Sequence, residues 1–157
     1  MKALLQRVDS ASVEIDRKEC ARVGKGLLIY LGIHKEDEAE DGVWLMNKVL
    51  DARIFYNEEG RMSRSVRDIK GEMLVVSQVT LYGSLLRGNR PDLGQNKDLA
   101  EAMAMYEGFV GALRELSGLA VKEGRFGADM QIHSVNSGPV TFMIDTLERR
   151  KASKLPG

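Results

Sequence analysis

The hydrophobic and polar positions of the chain fall mostly into short runs of period two, interrupted by two longer stretches of helical period. Ala3 to Val8 and Ser12 to Ile15 read as strands on either side of Asp9-Ser10-Ala11, and Glu19 to Val23 reads as the next. Gly24-Lys25-Gly26 is a turn. Gly26 to Ile33 is almost unbroken apolar sequence, the pattern of a strand covered on both faces. Arg53 to Tyr56 is a short strand closed by a turn at Asn57 to Gly60. Met73 to Leu81 is the most β-prone run and is expected to be a central strand. Val121, Met130 to Val135, and Val140 to Ile144 complete the strands.

The helical stretches carry their own start signals. An acidic segment, Glu36 to Asp41, opens the first, because carboxylates favour the positive end of the helix dipole. Trp44, Leu45 and Val49 form its apolar face. Asp98 caps the second, with Glu101 at capping-box spacing. Leu99, Met103, Tyr106, Val110 and Leu113 recur at helical spacing and read as a core face, and Gly118 ends the helix. Gly83 to Lys97 is a long loop bearing glycine and arginine, and loops of that length are uncommon unless functional or mobile. From Thr146 onward Arg149, Arg150, Lys151 and Lys154 accumulate without a core-filling pattern. The expected architecture is one α/β domain over residues 1–146 with a basic tail at 147–157. Its core is a mixed, mainly antiparallel, barrel-like sheet of about seven strands with two long helices.

Composition narrows the function classes. The chain is 157 residues long, the size of one domain with a full core. Lys plus Arg balance Asp plus Glu at 23 each, which argues against a broad electrostatic grip on nucleic acid but leaves room for a local basic patch. Cys20 is the single cysteine, so an intrachain disulfide is impossible and a reducing compartment is expected. The first residues lack the apolar core of a signal peptide, and the longest apolar run is too short to span a membrane. A cytoplasmic protein without a membrane partner is expected.

Conventional catalytic sets are mostly missing. His34 and His133 are the only histidines, and neither has a neighbour at metal-ligand spacing, so no metal is expected. No phosphate loop, dinucleotide fingerprint or nucleophile elbow occurs, and no cofactor is expected. Two polar interruptions remain. Ser77, Gln78 and Thr80 break the run at 73–81, either as groups satisfied by sheet neighbours or as a neutral cradle for a carbonyl under attack. Strict alternation puts Ser77 and Thr80 on opposite faces, so a shared site requires a bulge or strand end near Gln78-Val79. Gly138-Pro139 sits between two strand-like runs, as a hairpin turn or as a rigid main-chain device.

Taken together these segments resemble the D-aminoacyl-tRNA deacylases. Ser77-Gln78-Val79-Thr80-Leu81 and Asn136-Ser137-Gly138-Pro139-Val140-Thr141 are similar to that family's S-Q-x-T and N-x-G-P-x-T signatures. Gln6-Arg7-Val8, Gly24 to Leu27, Ala52 to Phe55 and Phe126 to Met130 also match, so the resemblance runs from Met1 to about Asp145. It implies a homodimer that hydrolyses the ester joining a D-amino acid to the 3′-terminal adenosine of tRNA. It further implies that the peptide between Gly138 and Pro139 is cis. The pair would reach the partner's active site and exclude L side chains, while letting glycyl-tRNA mischarged on tRNA(Ala) through. Arg7 would orient that pair. Ser77, Gln78 and Thr80 would surround the ester and the adenosine; Phe126 and Met130 would line the pocket, with Asn136 and Thr141 flanking the selectivity element. Val79 stands where family members often carry an aromatic residue. For the chemistry, the resemblance favours a water activated by the terminal ribose 2′-hydroxyl, with Thr80 as covalent nucleophile the competing role. Arg87, Arg90, Lys97 and the basic tail are candidates for acceptor-stem phosphates. Rival readings are a related deacylase with a trans Gly-Pro acting on L-alanyl-tRNA, a non-catalytic RNA-binding domain, and a serine esterase.

Overall fold

The computed structural model describes residues 1–152. One strand, β1 (Lys2–Ile15), organises the sheet, because it pairs with three others. Its C-terminal half pairs antiparallel with β2 (Lys18–Val23), and its N-terminal half with β3 (Gly26–Gly32). Along its other edge it pairs with β8 (Gln131–Asp145). The sheet then continues in parallel from β3 to β6 (Glu72–Ser77) and on to β7 (Val121–Glu123). A small separate ribbon joins β4 (Phe55–Tyr56) to β5 (Met62–Arg64). The result is a mixed α/β domain built on a nearly closed, barrel-like sheet, as the alternating pattern leads one to expect.

The apolar run of β3 has the predicted double burial. Leu27, Ile29 and Leu31 join Met73 and Val75 of β6 in a core beneath α1 (Ala39–Asp51) and α2 (Leu99–Ser117). Leu28, with Leu74 and Val76, faces the other way, into a second core inside the curl of β1 and β2. Gly118 closes α2 in the left-handed conformation at φ 65°. At the start of α2 the Asp98 carboxylate accepts from the Ala100 N–H, while Glu101 pairs with Lys97 instead of completing a capping box. The complete box is at α1, between Glu38 and Asp41.

Three expectations change, and at Gly138-Pro139 one of two alternatives is excluded. β1 is a single strand; Asp9-Ser10-Ala11 is absorbed by register shifts against β8. β6 stops at Ser77, and Val79–Tyr82 coils into a 3₁₀ turn. The stripe of α2 that is buried runs through Ala102, Tyr106, Phe109, Val110 and Leu113, whereas Leu99 is 70% and Met103 45% exposed. Finally, the chain does not turn back at Gly138-Pro139. Both flanking runs pair with β1 in the same direction, which excludes a hairpin.

Beyond β8 the chain enters α3 (Thr146–Ala152). Thr146 is buried, Arg150 pairs with Asp41, and Arg149 lies over the Trp44 ring. Lys154 and the rest of 153–157 lie outside the described residues. None of the described helices is long and apolar enough to cross a membrane.

Candidate active site

The end of β6 generates the site. Leu31 opposite Ser77 is the last ladder pair, and the Gln78 N–H still donates to the Leu31 carbonyl at 2.8 Å. The backbone then folds into the 3₁₀ turn, with Leu81 N–H donating to Gln78 O at 3.2 Å and Gly83 N–H to Thr80 O at 2.9 Å. Strand termination thus removes the alternation that would have separated Ser77 from Thr80. Ser77 and Gln78 are half-buried, Val79 and Thr80 exposed, and the Gln78 side-chain amide donates to the Thr80 hydroxyl. The Val79 and Thr80 N–H groups have no hydrogen-bond partner among the described residues.

Tyr82 pins the far end of the turn. Its ring meets that of His34 in a tilted contact, 4.9 Å between centroids, and Lys2 reaches the Leu81 carbonyl and lies over the Tyr82 ring. Burial, reinforced by the Asp37 and Asp145 carboxylates, pushes the Tyr82 phenol far above its ordinary pKa, so it stays a neutral donor to Asp145.

Around this turn two adjoining hollows of about 320 and 100 Å³ share a wall of Ser77, Gln78, Val79, Leu99 and Phe126. Ala128, Asp129, Met130 and Ile132 complete the larger. Phe126 is held by a tilted ring contact with Tyr106, 5.5 Å between centroids, and the Tyr106 hydroxyl donates to Val75 O at 3.0 Å. Of the predicted residues, Ser77, Gln78, Val79, Phe126 and Met130 therefore meet around one groove, with Thr80 on the turn beside it. Leu99 was expected in the core; it overhangs the groove because it is the first residue of α2, ahead of the buried stripe. Larger hollows between α1 and α2 (about 420 Å³) and beside His133 (about 530 Å³) hold none of these residues.

The second predicted group assembles elsewhere in the chain. Between the pairs Gln6–Thr141 and Val8–Asn136, the single residue Arg7 faces four residues of β8, Ser137 to Val140. That wide bulge presents Gly138 and Pro139 to solvent, and their peptide bond is cis. Arg7 is only 6% exposed and makes no ion pair among the described residues. Its Nε donates to Ser137 O at 2.9 Å, its Nη1 to Ile54 O at 2.7 Å, and its guanidinium lies 4.4 Å from the Tyr56 ring centre. The Asn136 amide donates to Arg7 O and to Val140 O, tying both ends of the bulge, and Gln6 reaches Thr141 Oγ1 at 3.4 Å. A Cβ on Gly138 would meet Asn136 Oδ1 at 2.5 Å and Val140 N at 2.9 Å, so this position admits only glycine without rearrangement.

The Ile54 carbonyl and the Tyr56 ring had no signal in the sequence, since neither role depends on an unusual residue type. The basic residues proposed for phosphates divide. Lys97 is held by Lys35 O and Glu101, and Arg149 and Arg150 are engaged within the chain, whereas Arg87 and Arg90 make no hydrogen bond or ion pair among the described residues.

A profile of the D-Tyr-tRNA(Tyr) deacylase family matches residues 4–145. A D-aminoacyl-tRNA deacylase of Thermotoga petrophila is 47% identical over 146 residues, covering 93% of this chain and 97% of that protein. Among solved structures, a c-Myc DNA unwinding element binding protein superimposes with a TM-score of 0.87 at 38% identity, over 92% of this chain and 98% of that one. The structure of a probable eukaryotic D-amino acid tRNA deacylase superimposes with a TM-score of 0.80 at 18% identity, over 91% and 97% of the two chains, a likeness of fold alone.

Proposed function

The chain belongs to the D-Tyr-tRNA(Tyr) deacylase family, and from that premise we propose that it hydrolyses the ester of D-aminoacyl-tRNA, releasing the free D-amino acid and tRNA. The observation that carries this reading is the convergence of Ser77, Gln78 and Phe126 on one groove beside Thr80, with Gly138-Pro139 held out on a braced bulge. The groove takes the 3′-terminal adenosine and its ester. Leu99, Phe126 and Met130 supply apolar walls for a base or side chain, and Gln78 sets the Thr80 hydroxyl.

The chemistry follows from what surrounds the ester. A carbonyl under attack by water develops negative charge on its oxygen, and preorganised neutral donors stabilise it best in a partly desolvated site. The free Val79 and Thr80 N–H groups and the Thr80 hydroxyl are such donors. Neither histidine touches Thr80. His34 packs on Tyr82 and accepts from the Glu36 N–H, and His133 faces Glu14 at 3.9 Å. With neither histidine at Thr80, the ribose 2′-hydroxyl of the substrate takes a proton from the attacking water while passing its own to the departing ester oxygen of the ribose, and Thr80 acts on the oxyanion instead of as nucleophile.

The chiral filter completes the reading. In one chain Gly138-Pro139 and the groove are separate, and exposed Val135, Phe142 and Met143 share β8 with the pair. An exposed apolar strand of this kind suits a subunit contact. We place Gly138 and Pro139 in the groove of a partner copy, where rigid main chain occupies the space of an L side chain. Exclusion by backbone discriminates more strongly than the loss of one apolar contact. Glycine has no side chain to exclude, so glycyl-tRNA mischarged on tRNA(Ala) is a second substrate. The enzyme acts in the cytoplasm.

The deciding experiment compares hydrolysis of D-tyrosyl-tRNA and L-tyrosyl-tRNA by the purified protein. Rapid release from the D ester alone is expected. Equal rates, or release from neither, refutes the reading, and preferential hydrolysis of L-alanyl-tRNA would favour the related L-specific activity.

A further inference from the structure

Arg7 does more than brace the bulge. By donating to both Ser137 O and Ile54 O, with Tyr56 beneath its guanidinium, it joins the Gly138-Pro139 bulge and the β4–β5 hairpin into one mechanical unit. The same unit carries two arginines, Arg53 beside Ile54 and Arg64 opposite Phe55. Both are exposed, and neither side chain makes a hydrogen bond or ion pair among the described residues.

The carboxylate on which both charges act already has hydrogen-bond donors of its own. Asp68 accepts from the Ser65 N–H at 2.8 Å and the Ser65 hydroxyl at 2.9 Å. Those bonds hold its carboxyl below the usual range, and the charges of Arg53 and Arg64 lower it further. Both positive charges thus act on one carboxylate that already accepts two hydrogen bonds through Oδ2, and neither guanidinium forms an ion pair with it among the described residues. Arginine with a free planar fork is suited to the paired oxygens of a phosphate.

We infer that the β4–β5 hairpin is a phosphate-binding arm, in which Arg53 and Arg64 hold the sugar–phosphate backbone of the acceptor arm of the tRNA whose 3′ end lies in the partner subunit's groove. This rests on the placement of Gly138-Pro139 in that groove proposed above. If the pair enters the partner's groove, the hairpin tied to it by Arg7 arrives at the groove's rim, where the nucleic acid leaves. One subunit would then supply both the chiral filter and part of the grip on the substrate, and the other the reaction pocket.

The test pairs two substrates, D-tyrosyl-tRNA and 3′-D-tyrosyl-adenosine, with wild type and the Arg53→Ala/Arg64→Ala variant. Each phosphate contact contributes about 0.7–0.9 to the slope of log affinity against log salt. The variant should lose about 1.4–1.8 of slope for kcat/KM on the tRNA, so that moving from 50 to 200 mM salt costs it about tenfold less than wild type. Hydrolysis of the nucleoside ester and the urea unfolding midpoint should be unchanged. An unaltered slope, or equal losses on both substrates, overturns the inference; a wild type inactive on both instead overturns the proposed function.

Mixed dimers decide which groove the arm serves. One subunit carries Ser77→Trp to block its groove, and the other carries the two arginine substitutions. The open groove then faces the intact hairpin of the blocked subunit, and its salt slope should equal that of wild type. A slope equal to the double variant's would show the hairpin acting on its own groove, and the shared-substrate arrangement would fall.

Discussion

Replacing Arg7 with Met keeps the aliphatic stem and removes the guanidinium, which makes it a clean test of how the Gly138-Pro139 bulge is held. The wild-type side chain makes two charge-assisted hydrogen bonds, at 2.7 Å to Ile54 O and 2.9 Å to Ser137 O, and lies over Tyr56. Ile54 is buried, so its abandoned carbonyl costs about 2–3 kcal/mol, while the half-buried Ser137 carbonyl recovers some hydration and costs about 1 kcal/mol. Loss of the cation–π contact adds about 0.5–1 kcal/mol. Relief from burying a charge and regained rotamer freedom return about 1 kcal/mol. The balance is a destabilisation of about 3 kcal/mol, or roughly 6–12 °C in melting temperature for a domain of this size.

Arg7→Lys should lose about 1–2 kcal/mol, because one compact ammonium cannot serve two separated carbonyls as a planar fork does. Urea unfolding gives both values, and deacylation of D- and L-tyrosyl-tRNA on the folded variants gives the functional counterpart. With the Ser137 tether gone, D-tyrosyl hydrolysis should fall by at least about tenfold, equivalent to about 1.4 kcal/mol of transition-state stabilisation. A Met variant as stable as wild type, or a Lys variant as damaged as Met, would refute the two-carbonyl bracing. Undiminished activity in a folded Met variant would separate Arg7 from the selectivity role proposed for Gly138-Pro139.

Gly138→Ala places a Cβ 2.5 Å from Asn136 Oδ1 and 2.9 Å from Val140 N, so the bulge must shift and the D-specific activity should drop while α1 and α2 stay intact by circular dichroism; full activity would mean that the bulge is not the reactive geometry. Acid stability should depend on Asp41. Burial pushes its carboxyl upward, but the Arg150 and Glu38 N–H hydrogen bonds outweigh that and hold it below the ordinary 3.8. A depressed folded pKa stabilises above the unfolded value and loses that stabilisation as pH falls through the folded one. Asp41→Asn should therefore be less stable than wild type near neutrality, and the gap should close in urea titrations as pH drops below 3.8 toward 2. A gap that stays constant to pH 2 would exclude this linkage.

What could be read from the chain, and what could not, divides along the range of the interactions involved. The double burial of β3 was legible because it needs only the residues themselves: an apolar run without alternation has to be covered on both sides. The C-terminus of α2 was legible because Gly118 takes a left-handed conformation that few other residues adopt readily. The turn between β1 and β2 was not. It is made by Asp16 and Arg17 at φ 52° and 62°, where the usual asparagine or glycine signal is missing. Its stability comes from the ladder on either side, which no local pattern encodes.

The two stretches of the candidate site failed local reading for a related reason. Val79 and Leu81 continue the alternation of β6, so nothing in the residues marks Ser77 as its end. What ends it is the partner, because Leu31 is the last residue of β3 in register with it. Gly138-Pro139 looked like a hairpin because glycine and proline commonly make one, but the two runs around it pair with β1 in the same direction, and direction of pairing is a property of the whole sheet. Each residue set was nevertheless conspicuous as a violation. Polar groups in an apolar strand and a proline in a long strand both cost stability unless something else is gained. A chain keeps such violations where function requires them. The end of β6 and the bulge of β8 are two such violations, and in the function proposed above each is one half of a site that a second copy completes.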